Sequence, residues 1–589
     1  MRLSGRFWMK PAEPIDLPGP FSLEPLLALP LELQLGVIQY LEDDDLYTLG
    51  ATCKSLHYLC FSTFLQNNNI PELAHYERLT IPEVHPLTPH FVQAARSIKK
   101  LRYIDMHMSK GCQRLLDDVE YLNQIVRNVE SIEGTKIDFN LMDSWAWKTS
   151  QKALDKYMWV KGFTDLLDIM IDKGCQEMDI LGSDAVKRLY TELERDGIPS
   201  ETLPGSSSKD FVANAPRPLL NPKKSGKDRR HWPGRESISR IFGKSEATPP
   251  PGLPITNNMY TSRRSGSYSM PQLQRLRIES SMLLQYSFYP WTIEMLSQTS
   301  STLTRLSLQC SALPISTWTR LLSSITLPSL TILALGIEPY KNGDTQCPNF
   351  VDLVAFFKRH PTIEELSLQG VERPEVCPIL KKPILPALKK MMANPVWISC
   401  LVGVLDQYPD ALPDLNTVGI TTEYCSFEDE NEDDYVYRLL DDALQKLSNF
   451  PRNITLALCL PSKKGMCDWF DKHISRGKRN SVIVHLTCVT ALDISTLYFV
   501  DFGREEAQGF PGLVGLFPSL ERIAFKEVRV GDNDGYELLK DDEFLTQLAC
   551  ASPTLSRVEA MHDSKVVNSI QLRPIREQGL AWIDSGFGL

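Results

Sequence analysis

No run of about eighteen consecutive apolar residues occurs in this 589-residue chain, so no segment reads as a membrane-spanning helix. The first twenty residues, MRLSGRFWMKPAEPIDLPGP, lack the apolar core of a secretory leader. Thirteen cysteines are present, yet no two stand as Cys-x-x-Cys. That spacing gives no metal or redox pairing, and the cysteines read as reduced, mostly buried thiols of a cytoplasmic or nuclear protein. The Asn453-Ile454-Thr455 sequon is then irrelevant. GxSxG, P-loop, GxGxxG and HExxH patterns are all missing. The ten histidines are scattered without a nucleophile–base pairing. Cys53, His57 and Cys60 lie close together, but the two cysteines are seven apart on a helical face beside leucines, and no second ligand pair completes a zinc site. No enzymatic activity, metal or cofactor is therefore expected. A net charge of −10 argues against general nucleic-acid binding.

What the chain does have is concentrated near its start. Between Leu31 and Leu41 seven of eleven residues are apolar, which is more than one stripe for an internal core requires. Pro30 suits the first turn of a helix, where its missing N–H would have had no partner. The triplet Asp43-Asp44-Asp45 ends one helix and caps the next. Leu46, Leu49, Cys53, Leu56 and Leu59 then recur at spacings of three and four, a further amphipathic face. So small a unit cannot hide this much apolar surface by itself.

A second pattern fills the rest. Pro-x-(Leu/Ile) recurs at Pro271, Pro328, Pro361, Pro386, Pro413, Pro518 and Pro553. Most of these triplets open an L-x-x-L-x-L phrase, as in Leu330-Leu333-Leu335, Ile363-Leu366-Leu368, Leu415-Val418-Ile420 and Leu520-Ile523-Phe525. Leu303-Leu306-Leu308, Ile454-Leu456-Leu458 and Val489-Leu492-Ile494 are variants of it. Proline stops a helix, a short strand with alternating faces follows, and a helical stretch such as Val351–Phe357 completes the unit. Each unit has an apolar face that only its neighbours can cover. Residues 95–197 read as the same architecture, with strands at 101–106 and 178–181 and helices at 115–126 and 153–171. Trp291, Trp318 and Trp397 share one unit position, which points to packing, whereas Trp145 and Trp147 are candidates for partner contact.

Residues 198–270 break the pattern. They are rich in Pro, Ser, Gly, Lys and Arg, with twelve Lys or Arg against five Asp or Glu, and are expected to be a disordered basic insertion. Its Lys223–Arg230 run reads as a solvated loop before it reads as a nuclear-localisation patch. The acidic run Glu428–Asp434 likewise reads as a solvated loop. Residues 1–23 and 563–589 are read as a flexible start and a tail.

The N-terminal segment, 24–70, resembles an F-box. Leu29, Pro30, Glu32, Leu33, Ile38, Tyr40, Leu41, Asp45, Leu46, Leu49, Cys53 and Lys54 match the family pattern in order and spacing, with Leu56 where Trp or Phe is usual. Residues 271–562 resemble a leucine-rich-repeat solenoid, although the Asn or Cys that usually follows the LxL phrase is not regular. The fold these resemblances imply is an α/β solenoid, a horseshoe of short parallel strands alternating with helices, behind a small all-α three-helix module. The function they imply is substrate recognition in a Skp–cullin–F-box ubiquitin ligase. Leu29, Pro30, Leu33, Ile38, Tyr40, Leu41, Leu46, Leu49, Cys53 and Leu56 would meet a Skp-type adaptor, and through it a cullin. Outward strand residues, among them Arg305, Glu364, Glu365, Asn416, Glu521 and Arg522, would meet a client protein. The competing reading is a repeat scaffold that acts outside any ligase.

Overall fold

The computed structural model describes residues 24–50, 52, 54–67, 78–81, 100–108, 112–139, 156–182, 272–284, 288–310, 313–336, 348–371, 382–421, 430–460, 463–496, 504–526, 529–530, 533–534, 538–562, 565–573 and 575. The basic insertion, Trp145, Trp147, Cys53 and the start of the acidic run lie outside these residues.

Four helices open the chain: α1 (Glu24–Leu27), α2 (Leu31–Ile38), α3 (Asp43–Gly50) and α4 (Lys54–Asn67). Ile38, Leu46, Leu56, Cys60 and Phe64 form their shared interior. The Gln34 amide donates to Leu29 O at 2.8 Å and Leu27 O at 3.3 Å, tying α2 to the end of α1.

One sheet of fifteen strands follows, in sequence order throughout. Its strands are β1 (Arg78–Ile81), β2 (Lys100–His107), β3 (Ser131–Asp138), β4 (Glu177–Leu181), β5 (Arg275–Ile278), β6 (Arg305–Gln309), β7 (Ile332–Gly336) and β8 (Glu365–Gln369). They continue as β9 (Lys390–Ala393), β10 (Thr417–Thr421), β11 (Ile454–Leu460), β12 (Val489–Thr496) and β13 (Arg522–Lys526). A separate two-stranded piece, β14 (Arg529–Val530) and β15 (Asn533–Asp534), interrupts before β16 (Arg557–His562) and β17 (Lys565–Gln571) complete the sheet. Pairing is parallel from β1 to β16. Parallel neighbours need a crossover, and among the described residues helices supply it for every pair except β1–β2, β4–β5 and β8–β9: α5 (Cys112–Asn128), α6 (Lys156–Asp172), α7 (Tyr289–Gln298), α8 (Ile315–Ser324), α9 (Phe350–Arg359), α10 (Pro395–Val402), α11 (Glu430–Leu447), α12 (Lys463–Asn480), α13 (Arg504–Val514) and α14 (Asp542–Ala551). An open parallel sheet with one strand and one crossover per unit is a leucine-rich-repeat solenoid.

The proline triplets at Pro328 and Pro386 are turns. Leu330 N–H donates to Leu327 O at 3.1 Å and Leu388 N–H to Leu385 O at 3.2 Å, with proline second in each turn, where its fixed φ fits. The phrase leucines that follow point inward: Leu303, Leu306, Leu308, Leu330, Leu333 and Leu335 are all buried. Trp291, Trp318 and Trp397 are buried, in keeping with the packing role their shared unit position implies.

Several readings change. The acidic run is not wholly loop: from Glu430 it forms the first turn of α11, where carboxylates favour exposed N–H groups. Cys400 is disulfide-bonded, unlike the buried thiols Cys175, Cys310 and Cys488. Strand β1 carries no leucine phrase, so the repeat signature does not predict it. The sheet also runs past residue 562, because β17 is an antiparallel closing strand that the repeat signature does not encode. Between Ala560↔Asn568 and Met561↔Val566 the register slips, leaving Val567 as an extra residue.

His360 shows how neighbouring units are tied. It lies in the turn before β8, buried. Its Nδ1 donates to Phe356 O at 2.7 Å, and its Nε2 accepts from Leu327 N–H of the preceding unit at 2.8 Å. Only the neutral ring can do both. Burial, more than the nearby Arg359 charge, holds its pKa below the ordinary 6.5. A depressed imidazole leaves stability intact above its unfolded value and removes it as pH falls below that value toward the folded one. The urea midpoint is therefore expected to drop between pH 7.5 and 5.5, and the His360→Gln variant should show a smaller drop. An identical pH response in that variant would exclude the mechanism.

Candidate interaction surfaces

Two surfaces stand out. The first is on α2. Leu33 and Val37, four apart on α2, share one face; Tyr40 follows in the turn after the helix, its N–H donating to Val37 O at 3.1 Å, and all three point to solvent, with Tyr40 91 % and Leu33 56 % exposed. Leu27, at the end of α1, and Leu31, at the start of α2, are further exposed apolar side chains of the module. The ten residues read from the motif therefore separate. Pro30, Leu33 and Tyr40 are exposed, and Leu29, Leu41 and Leu49 are half-buried. Ile38, Leu46 and Leu56 are fully covered; they hold the helices together and present no outward surface. Cys53 lies outside the described residues. The motif reading omitted Val37, although the Leu33–Val37 spacing already marked a shared face. No group of three or more metal-ligating side chains occurs among the described residues, and Cys60 is part of the helical core.

The second surface is the outward face of the sheet. One register position can be followed from strand to strand. Its N-terminal part reads Asp105, Lys136, Asp179, Arg277. The middle reads Ser307, Ala334, Ser367, Met392, Gly419, Ala457. The C-terminal part reads Asp493, Ala524, Glu559. Both ends are clamped by ion pairs. Asp105 meets Arg78, and Lys136 lies 3.6 Å from Asp105 and 3.4 Å from Asp138. Burial, then the carboxylates of Asp179 and Asp105, push the Tyr103 hydroxyl between them to about 12. At the other end Arg522 bridges Asp493 at 2.8 Å and Glu559 at 3.0 Å, while Lys526 and Arg557 hold the same two acids.

The outward residues read from the sequence are distributed over this face. Glu364 and Glu365 pair with Lys389 and Lys390 at 2.8 and 2.9 Å. Arg522 is committed to its two acids. Asn416 and Glu521 are exposed, and Arg305 is half-buried, flanked in register by Arg275 and Ile332.

A buried chain on the helical side has the composition of a hydrolase triad. Ser481 Oγ lies 2.8 Å from His473 Nδ1, and His473 Nε2 lies 2.9 Å from Asp441 Oδ1. Both His473 and Ser481 are sealed from solvent, and Ser481 Oγ accepts from Ile483 N–H at 3.3 Å. The chain positions helices; it offers no nucleophile to a substrate.

Fold and surfaces together define a protein-interaction chain: a small helical module with an uncovered apolar face, followed by a repeat solenoid. Residues 26–67 match the family described as F-box-like. No curated protein matches the chain. Among solved structures, the leucine-rich repeat-containing protein LegL7 from Legionella pneumophila is similar at 14 % identity and TM-score 0.29, over 54 % of this chain and 83 % of that one. A Bacteroides fragilis protein is similar at 16 % identity and TM-score 0.27, over 42 % of this chain and 66 % of that one. The chain carries an F-box-like domain at residues 26–67, and its sequential parallel sheet is that of a leucine-rich-repeat solenoid. No helix among the described residues is long and apolar enough to cross a membrane.

Proposed function

We propose that this protein is the client-holding subunit of a Skp–cullin–F-box ubiquitin ligase, active in the cytoplasm or nucleus. The observation that carries the reading is the solvent-facing stripe Leu33–Val37–Tyr40 on a module whose own core is already filled by Ile38, Leu46 and Leu56. Covering such a stripe removes apolar surface from water, which favours association with a Skp-type adaptor of complementary shape. A cullin joins through the adaptor. The solenoid holds the client by its strand face, and ubiquitin transfer is accelerated by proximity, with no catalytic group from this chain.

Adaptor and cullin are expected to copurify with the full chain. Both should be lost from the Leu33→Asp/Tyr40→Asp variant, which changes two exposed positions and leaves the helical signal in circular dichroism unchanged. Retention of the adaptor by that variant, or failure of the unaltered chain to recover it, would refute the assignment and favour a scaffold outside any ligase.

A further inference from the structure

Resting on the client-holding reading, the geometry points to the middle of the strand face as the seat of an uncharged client segment. We infer that β6 to β11 take up a short stretch of the partner rich in methyl and hydroxyl groups, and that the charged ends exclude other occupants.

At the register position followed above, six consecutive strands present no charge, although the same position is charged on β2 to β5 and again on β12 and β16. The floor is also low. A Cβ built on Gly419 would come within 3.2 Å of Met392 Cγ, and one on Gly336 within 2.9 Å of Gln309 Cγ. The long side chains of β9 and β6 therefore lie across the bare backbone of their neighbours and make a level surface. Met392 is one of the larger apolar side chains left exposed. Independently of these small residues, Thr421 closes the same outward row of β10. It is 5 % exposed, and its hydroxyl has no hydrogen-bond partner. An unsatisfied hydroxyl at the margin of an apolar floor suits a backbone carbonyl or N–H of a seated segment.

Charge decides the occupant. A Lys, Arg, Asp or Glu pressed onto this row would lose water; in the next row of the same face Glu365 and Lys390 already hold each other at 2.9 Å, and Arg305 on β6 is the one further charge that these six strands present there. At the ends, a charged segment would have to displace carboxylates and cations that already hold each other. The face thus selects by exclusion. Six strands at about 4.8 Å spacing span roughly 24 Å, the length of about seven extended or sixteen helical residues.

The test selects a short random-peptide library displayed on phage against the full chain. Enriched peptides should be poor in all four charged residues. Their affinity should fall about tenfold or more on Ser367→Arg, and likewise on the milder Ala334→Lys, because each leaves a buried charge unpaired. Arg557→Ala, which leaves Glu559 its bond to Arg522, should bind as the unaltered chain does. Charged peptides that keep their affinity on Ser367→Arg but lose it on Arg277→Ala would overturn this inference and leave the client-holding reading standing. No enrichment, or binding indifferent to every strand-face variant, would overturn both.

Discussion

Replacing Trp397 by alanine is expected to lower the unfolding free energy by about 3–5 kcal/mol, the range for deleting a large buried aromatic that its surroundings cannot refill. The indole is 0 % exposed, stacks on Phe350 at 4.7 Å and meets Phe357 edge-on at 6.1 Å. Phe350 and Phe357 lie on α9 and Trp397 on α10, so the cavity would open between two units. Stability in a solenoid is carried by such unit-to-unit interfaces. The urea midpoint should fall steeply, and the transition should broaden if the two sides of the break unfold separately. A loss below about 1 kcal/mol, the range of ordinary surface substitutions, would show that the units are not coupled through this stack.

Asp441→Ala is expected to cost about 3 kcal/mol by leaving buried donors without an acceptor. Asp441 accepts from Trp469 Nε1 at 2.8 Å, meets His473 Nε2 at 2.9 Å and pairs with Lys472 at 3.2 Å. Burial pushes its carboxyl up, but the His473 and Trp469 hydrogen bonds and the nearby His473 and Lys472 charges outweigh that and hold it below the ordinary 3.8. A depressed carboxylate contributes stability above its unfolded value and loses it as pH falls through the folded one. The unaltered chain should therefore weaken through this acid range, and the variant should lack that component of the loss. Equal acid sensitivity in both proteins would contradict the assignment of that component to Asp441.

The parts legible in the sequence were those written by local chemistry. Leucines of the L-x-x-L-x-L phrases face inward because a strand alternates its faces, and proline marks the turn before them because its φ already fits. The F-box-like helices were legible for the same reason. Long-range pairing was not legible. Nothing near Arg522 announces that Asp493 and Glu559, on strands either side of its own, will occupy it. Nothing near His360 announces Leu327 N–H. Motif membership also does not distinguish the surface of a helix from its core. Ile38 and Tyr40 belong to one pattern, yet Ile38 is covered and Tyr40 is bare.

The last strand carries a consequence for solubility. A parallel sheet is a template that another molecule's strand can extend in the same sense, copy after copy. Here β17 reverses direction, an extra residue at Val567 breaks its regular pleat, and the Ser569 N–H is engaged by Asn568 Oδ1 at 2.9 Å. An incoming parallel strand would meet a misaligned row of donors with one already taken. At this end the array is terminated by its own chain, so stacking of one molecule on the next into fibres is disfavoured there.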